Sequence, residues 1–176
     1  MAWVWTLGAI AAVIAVIAAL GGFRDAPNAR RSATIGSPID TGKRIWVVHG
    51  VELTDKSRAG HTVEPSLRLK VTITNHDLIT DIAIDKRTVE VVLPDGSLIT
   101  DVPWRAQPRS FGLQPDVPAN CYAEIEVDPA RVLGGTVIVR IRIDEPTNSV
   151  ITNDTWRVGN DAVDVAVPVV DTREER

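Results

Sequence analysis

An uncharged apolar run at the amino terminus constrains this chain more than any other feature. From Ala2 to Phe23 no side chain is charged, and nearly every residue is Ala, Val, Ile, Leu, Gly or Trp. A helix of this length spans roughly 33 Å, enough to cross a hydrocarbon core of about 30 Å. Trp3 and Trp5 lie at one end, where indole rings favour the headgroup region. The sequence therefore predicts a transmembrane α-helix over residues 1–23.

A cleaved signal peptide is the alternative interpretation of this run. The run has no Lys or Arg before it and exceeds the usual apolar length of a signal peptide, about 7–15 residues. Small residues around Ala19-Leu20-Gly21 could still form a cleavage site. The single cysteine is Cys121, far from the run, which excludes a lipoprotein anchor. We therefore favour an uncleaved anchor.

Small residues recur along one face of the predicted helix. Such a face permits the close approach of a second helix. It makes a homodimer, or packing within a larger membrane complex, a hypothesis. The predicted helix-packing face consists of Gly8, Ala11, Ala15, Ala19 and Gly22.

The segment after the helix has the composition of a linker. Residues 24–42 are rich in Pro, Gly, Ser, Ala and Arg and show no apolar periodicity. A segment of this kind cannot bury enough apolar surface to fold alone. We expect a flexible tether here, and a frayed charged tail over residues 171–176.

Residues 43–170 alternate between apolar and polar side chains, as half-buried strands do. In Ser66–Thr74, four aliphatic residues share one face while Arg68 and Lys70 lie on the other. Pro94-Asp95-Gly96 separates two such runs and predicts a tight hairpin. The fold class is therefore all-β, an antiparallel β-sandwich of seven to eight strands. The predicted strands are Arg44–Leu53, Ser66–Thr74, Val89–Leu93, Ser97–Thr100, Asn120–Val127, Thr136–Ile143, Val150–Val158 and Ala162–Val169.

The same alternation predicts the core, which consists of the apolar residues on the inward face of each strand. We expect twelve side chains to be buried: Trp46, Leu69, Val71, Ile73, Val89, Val91, Ile125, Val127, Val139, Ile141, Trp156 and Val165.

The order of these features is also that of a known group of domains. The chain resembles bacterial membrane-anchored or secreted immunoglobulin-like β-sandwich domains, including those of unknown function common in actinobacteria. The resemblance covers roughly residues 43–170 and consists of turns and core alternation. The segments that carry it are Val47–Leu53, Val71–Asn75, Leu93–Gly96, Leu113–Pro115 and the strand at Tyr122.

Two considerations give opposite orientations for the anchor. Arg24, Arg30 and Arg31 come after the apolar run, and the positive-inside rule places such residues in the cytoplasm. The resemblance instead implies a domain displayed outside the cytoplasmic membrane. We expect a single-pass protein of the cytoplasmic membrane with an extracytoplasmic domain, and the cytoplasmic orientation stays open as the alternative.

The chain shows no local motif for catalysis, metal or cofactor. His49, His61 and His76 lie on separate segments without metal-ligand spacing. Cys121 alternates inward, as a small buried hydrophobe does. We predict no catalytic residue, no metal site and no cofactor. A weak calcium hypothesis rests on the spacing by four of Asp77, Asp81 and Asp85, which no Gly-turned acidic loop accompanies.

Two long loops are the candidates for binding, namely Thr54–Pro65 and Pro103–Pro118. Aromatic and Arg side chains are the residue types that anchor interfaces. Alternatively, Trp104 and Phe111 fold back and cover the core. The candidate interface residues in the second loop are Trp104, Arg105, Arg109 and Phe111.

The sequence thus predicts a membrane-anchored binding or scaffolding module rather than an enzyme. Its partners are the lipid bilayer and a protein, while the net charge of −4 argues against nucleic acid. The alternatives are a membrane-tethered hydrolase with a dispersed site, or a structural subunit of a membrane complex.

Overall fold

The computed structural model describes residues 30–57, 59–81, 84–107, 112–147 and 156–173. The predicted transmembrane helix, with its packing face at Gly8, Ala11, Ala15, Ala19 and Gly22, lies outside these residues. Within the described part of the chain, no helix has the length and apolar character needed to cross a membrane.

The described residues form ten strands and two short 3-10 helices, Lys86–Thr88 and Pro129–Arg131. The prediction of an all-β domain is confirmed, but the number of strands exceeds the expected seven to eight. In chain order the strands are β1 (Arg30–Ala33), β2 (Pro38–Asp40), β3 (Arg44–Lys56), β4 (Thr62–Asn75), β5 (Val89–Val92), β6 (Leu98–Ile99), β7 (Trp104–Gln107), β8 (Ala119–Glu126), β9 (Thr136–Pro146) and β10 (Trp156–Asp171).

Two packed layers result from this chain order. The front sheet has the order β3-β4-β8-β7, and the back sheet has the order β10-β9-β5-β6. Neighbours within each layer are antiparallel. Strand β10 also joins the two layers, because its last three residues pair in parallel with Val51, Glu52 and Leu53 of β3. The architecture is therefore a β-sandwich, as predicted, with parallel pairing where β10 meets β3.

The expected flexible tether is wrong from Arg30 onward. Strand β1 pairs in parallel with β10, from Arg30 opposite Ala162 to Ala33 opposite Val165. Strand β2 pairs antiparallel with β3. These short segments bury little surface alone, but the domain already offers strand edges whose backbone groups they can pair. The folded domain therefore begins before residue 43.

At the carboxyl end, two predicted strands are replaced by one. Strand β10 continues through Gly159, with a register shift between Val158 and Ala162. A Cβ atom at Gly159 would lie 2.7 Å from the carbonyl oxygen of Ile143, so glycine allows β9 to approach closely. The predicted tail is also ordered at its start, because the Thr172 N–H donates to the Leu53 carbonyl at 2.9 Å.

The core between the sheets consists of the inward-facing residues of both layers. Ten of the twelve predicted core side chains are buried, and Trp46, Ile73 and Val139 are fully inaccessible. Trp156 and Val127 are only partly buried, which corrects the prediction for both. Val127 lies one position beyond the end of β8 and packs against the rim of the core, whereas Trp156, the first residue of β10, lies beside Gly42.

One end of the sandwich, which we call the Asn75 end, brings three loops together. Here Arg44 at the start of β3 lies opposite Asn75 at the end of β4. The Asp144 N–H near the end of β9 donates to the Thr41 carbonyl at 2.8 Å. The loops 41–43, 76–81 and 112–118 meet at this end, and the β3–β4 hairpin loop and the β5–β6 turn lie at the other.

Candidate functional site

The outer face of the front sheet carries a groove of about 570 Å³. It lies across β3, β4 and β8, whose outward residues are polar because only one face of the sheet meets the core. Ten described residues line the groove, and none of them is acidic. Its polar lining includes His49, Lys56, Arg68, Lys70, Asn120 and Tyr122.

A β-bulge in β3 places the histidine of this groove. The register of β3 against β4 shifts between Val48 and Gly50, which leaves His49 on the exposed face. Its Nε2 lies 2.7 Å from the Thr72 hydroxyl, and that hydroxyl donates to Asn120 Oδ1 at 3.0 Å. Three strands thus hold one continuous row of polar groups that can donate to or accept from a ligand.

Ion pairs hold the cationic side chains of the groove in place. Arg68 donates through Nε and Nη2 to Glu124 Oε1 at 3.0 and 2.7 Å, and through Nη2 to the Lys56 carbonyl at 2.6 Å. Lys70 is paired with Glu52. The groove is therefore lined by fixed cationic donors, two of which are paired with carboxylates that lie just outside the lining.

The outer face of the back sheet pairs its charges as well, but there a carboxylate itself lines the cavity. Glu90, Arg140 and Asp164 stand opposite one another on β5, β9 and β10. Arg140 donates to both Asp164 oxygens at 2.8 and 3.1 Å, and Arg142 pairs with Glu90. A smaller cavity of about 290 Å³ here includes Glu90 in its lining. The two cavities thus differ in their linings, with an acidic residue only in that of the back sheet, and not in whether their arginines meet a carboxylate.

The predicted interface loop is partly an edge strand. Trp104 begins β7 and packs on the core, where its ring lies edge to face with Trp46. This is the alternative interpretation, in which Trp104 covers the core. Arg105 is exposed and lies opposite Tyr122, at the border of the groove. Arg109 and Phe111 lie outside the described residues.

The structure does not bring the three histidines together. His49 lies on the front sheet, while His61 and His76 flank opposite ends of β4. A strand of this length spans roughly 45 Å. His76 Nε2 lies 3.9 Å from Asp116 Oδ1. The described residues contain no cluster of three or more His, Cys, Asp or Glu suited to a metal ion.

The three aspartates of the calcium hypothesis each contact a different partner. Asp77 Oδ1 accepts the Leu78 N–H at 2.8 Å. Asp81 pairs with Arg44, and Asp85 caps the first 3-10 helix. The pKa of Asp85 lies below its usual value, chiefly because the Arg87 side chain donates to it. Each carboxylate thus has its own partner, and the calcium hypothesis finds no support in the described residues.

A buried ion cluster closes the Asn75 end of the core. Arg44 is 3% exposed and joins two carboxylates, Asp81 and Asp144, with Nη1 3.1 Å from Asp144 Oδ2. The Thr41 hydroxyl lies 3.1 Å from the same oxygen. Burial raises the pKa of Asp144, while Arg44 acts in the opposite direction. With its charges paired internally, the cluster fastens β3 to β9 rather than offering a site.

The thiol of Cys121 is also unsuited to chemistry. It is buried, and desolvation raises its pKa to about 11. A thiol with such a pKa holds its proton at neutral pH and is a poor nucleophile. This agrees with its prediction as a small buried hydrophobe.

Sequence reasoning missed the groove because its residues come from three strands. The alternation in β4 already placed Arg68 and Lys70 on the exposed face. Their proximity to Tyr122 depends on the pairing of β4 with β8, which a single sequence does not specify. The only local signal is the absence of acidic residues among the outward positions of Ser66–Thr74.

Among solved structures, the chain is similar to an uncharacterized beta-sandwich protein from Clostridium difficile 630. The TM-score is 0.51 with 12% sequence identity, and the match covers 78% of this chain and 93% of that chain. At this identity the likeness shows the fold alone. No protein-family model and no curated protein matches the chain.

Proposed function

We propose that this chain is a single-pass, membrane-anchored binding module whose front-sheet groove accepts an anionic group of its ligand, either carboxylate or phosphate. The observation that carries the proposal is the lining of the groove, in which Lys56, Arg68 and Lys70 stand without an acidic residue among them. Arginine and lysine are the side chains that proteins use for carboxylates and phosphates. The apolar run of residues 2–23 supplies the anchor.

The strand order supports an immunoglobulin-like form of the sandwich. Strands β3-β4-β8-β7 correspond to A-B-E-D, and β6-β5-β9-β10 to C′-C-F-G. Folds of this kind host many functions, so the fold by itself carries no activity. A role in binding rather than catalysis is favoured because the buried carboxylate of Asp144 and the partly buried one of Asp81 are both paired with Arg44.

Anchoring to the cytoplasmic membrane favours the binding of ligands at that surface. Confinement to a surface raises the effective concentration of the domain for ligands there. We place the domain outside the cytoplasm. Protease accessibility in intact cells, compared with inverted vesicles, tests this orientation, and alkaline carbonate extraction tests the anchor.

The groove is tested with a defined acidic probe. The full chain, held in nonionic detergent micelles, is titrated with a hexaglutamate peptide by isothermal calorimetry, and hexaglutamine serves as the uncharged control. The groove variant is Lys56→Gln/Lys70→Gln. The matched control is Arg87→Gln/Arg157→Gln, which removes two cations whose side chains are 75% and 70% exposed.

We expect binding of hexaglutamate that weakens with added salt, since salt screens exposed charges. The groove variant should lose about tenfold in affinity, equivalent to about 1.4 kcal/mol. The control variant should bind as the wild type does. Equal losses in both variants, or equal binding of hexaglutamine, would show that the groove does not select anions.

A further inference from the structure

The two most exposed large apolar side chains of the described residues are neighbours in one loop. Leu78 is 93% exposed and Ile79 is 70% exposed, both in the loop after β4 at the Asn75 end. Val117, 54% exposed, lies in a loop at the same end. The other exposed apolar side chains are less exposed and lie apart from this loop: Ile35, Val63, Leu98, Leu133 and Val170.

Buried hydrogen bonds fix the backbone that presents this apolar pair. Asn75 is fully buried, and its Nδ2 donates to the carbonyls of Ile79 at 2.8 Å and Leu113 at 3.1 Å. Its Oδ1 accepts the Asp77 N–H at 3.0 Å, and its own carbonyl accepts the Asp116 N–H at 2.7 Å. The loop is therefore held at its base while its apolar side chains point to solvent.

The chain enters the domain from this same end. Strand β1 is parallel to β10, with Arg30 opposite Ala162. Since β10 begins at Trp156, opposite the last residue of β9, the strand direction before Arg30 leads toward the Asn75 end. Six residues, 24–29, separate Arg30 from the apolar run and span at most about 20 Å. The proposed membrane segment is thus tied by a short stretch of chain to the strand that begins on the side of the domain where Leu78 and Ile79 lie.

We propose that the Asn75 end rests on the lipid bilayer, with Leu78 and Ile79 inserted at the boundary between headgroups and acyl chains. This rests on the membrane anchor of the proposed function. Both signs of charge lie at the loop, which contains Asp77 and ends at Asp81, 3.6 Å from Lys43 Nζ, so apolar burial rather than attraction to anionic lipid drives the contact. The anchor keeps the loop close to the surface, and weak insertion is then enough.

This contact sets the orientation of the groove. Lys56 and Gly60 lie at the hairpin end of the front sheet, opposite the Asn75 end. A domain that rests on its Asn75 end therefore holds the cationic part of the groove away from the bilayer. The ligand can then approach from the aqueous phase.

The experiment measures how close Leu78 lies to lipid. The full chain is reconstituted in phosphatidylcholine vesicles, with a bimane label on Leu78→Cys or, as matched control, on Leu98→Cys at the opposite end. Leu98 is 51% exposed, so both sites accept a label. Native Cys121 is buried, and unlabelled wild-type protein checks that it does not react. Doxyl groups near the headgroups serve as quenchers, and flotation of the vesicles confirms anchoring.

We expect the label at position 78 to be quenched about threefold more than that at position 98, because interfacial side chains enter about 5–10 Å into the boundary. Adding Ile79→Asp should reduce this quenching without changing flotation. Equal quenching at the two positions would overturn insertion while leaving the anchor intact. Quenching at position 78 that Ile79→Asp does not reduce would do the same. Energy transfer between labels at position 78 on separate chains would overturn insertion by showing that Leu78 and Ile79 contact a second copy of the chain. Failure to float overturns the anchor and the contact together.

Discussion

The indole rings of Trp46 and Trp104 meet edge to face, with centroids 5.4 Å apart and planes inclined at 67°. Trp46 lies in β3 and is completely buried, whereas Trp104 begins β7 at the far edge of the front sheet. Neither indole N–H has a hydrogen-bond partner within the described residues. The pair thus contributes apolar area and ring geometry to the core.

Replacing Trp104 by alanine should lower the free energy of unfolding by about 2 kcal/mol, somewhat less than for a fully buried aromatic residue. Trp104→Phe, which keeps a ring against Trp46, should recover most of this loss. Urea denaturation of both variants measures the difference. A Trp104→Ala protein of unchanged stability that has lost hexaglutamate binding would restore Trp104 as a binding residue.

Replacing Arg44 by methionine should be far more costly than removing an exposed arginine. It leaves the buried Asp144 carboxylate without its cation and Asp81 with Lys43 alone, which costs about 3–5 kcal/mol. Arg157→Met, which removes an exposed partner of Glu145, should cost about 1 kcal/mol or less. Chemical denaturation of the two variants gives the comparison, and similar losses would contradict a special role for Arg44.

The pH dependence of Arg44→Met has a defined sign. Burial holds the pKa of Asp144 above its usual value, so the folded state binds that proton more tightly than the unfolded state. The variant should therefore regain part of its lost stability as the pH falls through the folded-state pKa of Asp144. A loss that grows on acidification would contradict this.

Gly112 should tolerate alanine poorly. Its φ is +111°, a conformation that residues with a side chain rarely adopt. A Cβ atom added at this position would lie only 2.5 Å from the Asp81 carbonyl oxygen, so there is no room for a side chain. We expect Gly112→Ala to lower the free energy of unfolding by about 2 kcal/mol or more. Gly96→Ala is the control, since Gly96 also has a positive φ but open space around it, and should cost about 1 kcal/mol. Thermal unfolding distinguishes the two, and equal costs would show that contact with Asp81 is unimportant.

The Asp95 carboxylate should stabilise the β5–β6 turn at pH 6 but not at pH 2. Hydrogen bonds from Ser97, and then from Arg131, lower its pKa to about 2. Its stabilisation is therefore complete above the unfolded pKa, about 3.9, and disappears as the pH falls through 2. Asp95→Asn should be less stable than the wild type at pH 6 and equal to it at pH 2. Urea midpoints across this range test the prediction, and a difference that persists at pH 2 would contradict it.

The sandwich could be predicted because one buried face imposes period two on each strand. The run Ser66–Thr74 shows this pattern without interruption, and the structure places it within β4. Strands β1, β2 and β7 could not be found in this way. Each has four residues or fewer, and its stability comes from pairing with a strand distant in sequence rather than from its own pattern.

The candidate site was less accessible to prediction than the fold. Outward placement of Arg68 and Lys70 results from alternation, but the exposure of His49 depends on a bulge, which inserts one residue into the alternation of β3. Trp104 has the residue type that anchors interfaces, yet its packing on Trp46 depends on the long-range pairing of β7 with β8. Residue type alone does not distinguish a core cover from a contact surface.

The parallel pairing of β1 with β10 also has a mechanical consequence. A chain held at a membrane transmits any pull on its domain through the segment before Arg30, and so through β1 first. Because β1 lies alongside β10 in the same direction, a pull along the strand loads their hydrogen bonds in shear, all at once, instead of separating them one after another. In the proposed anchored protein, this short strand at the entrance of the domain would therefore bear a pull on the chain before the strands that form the groove do.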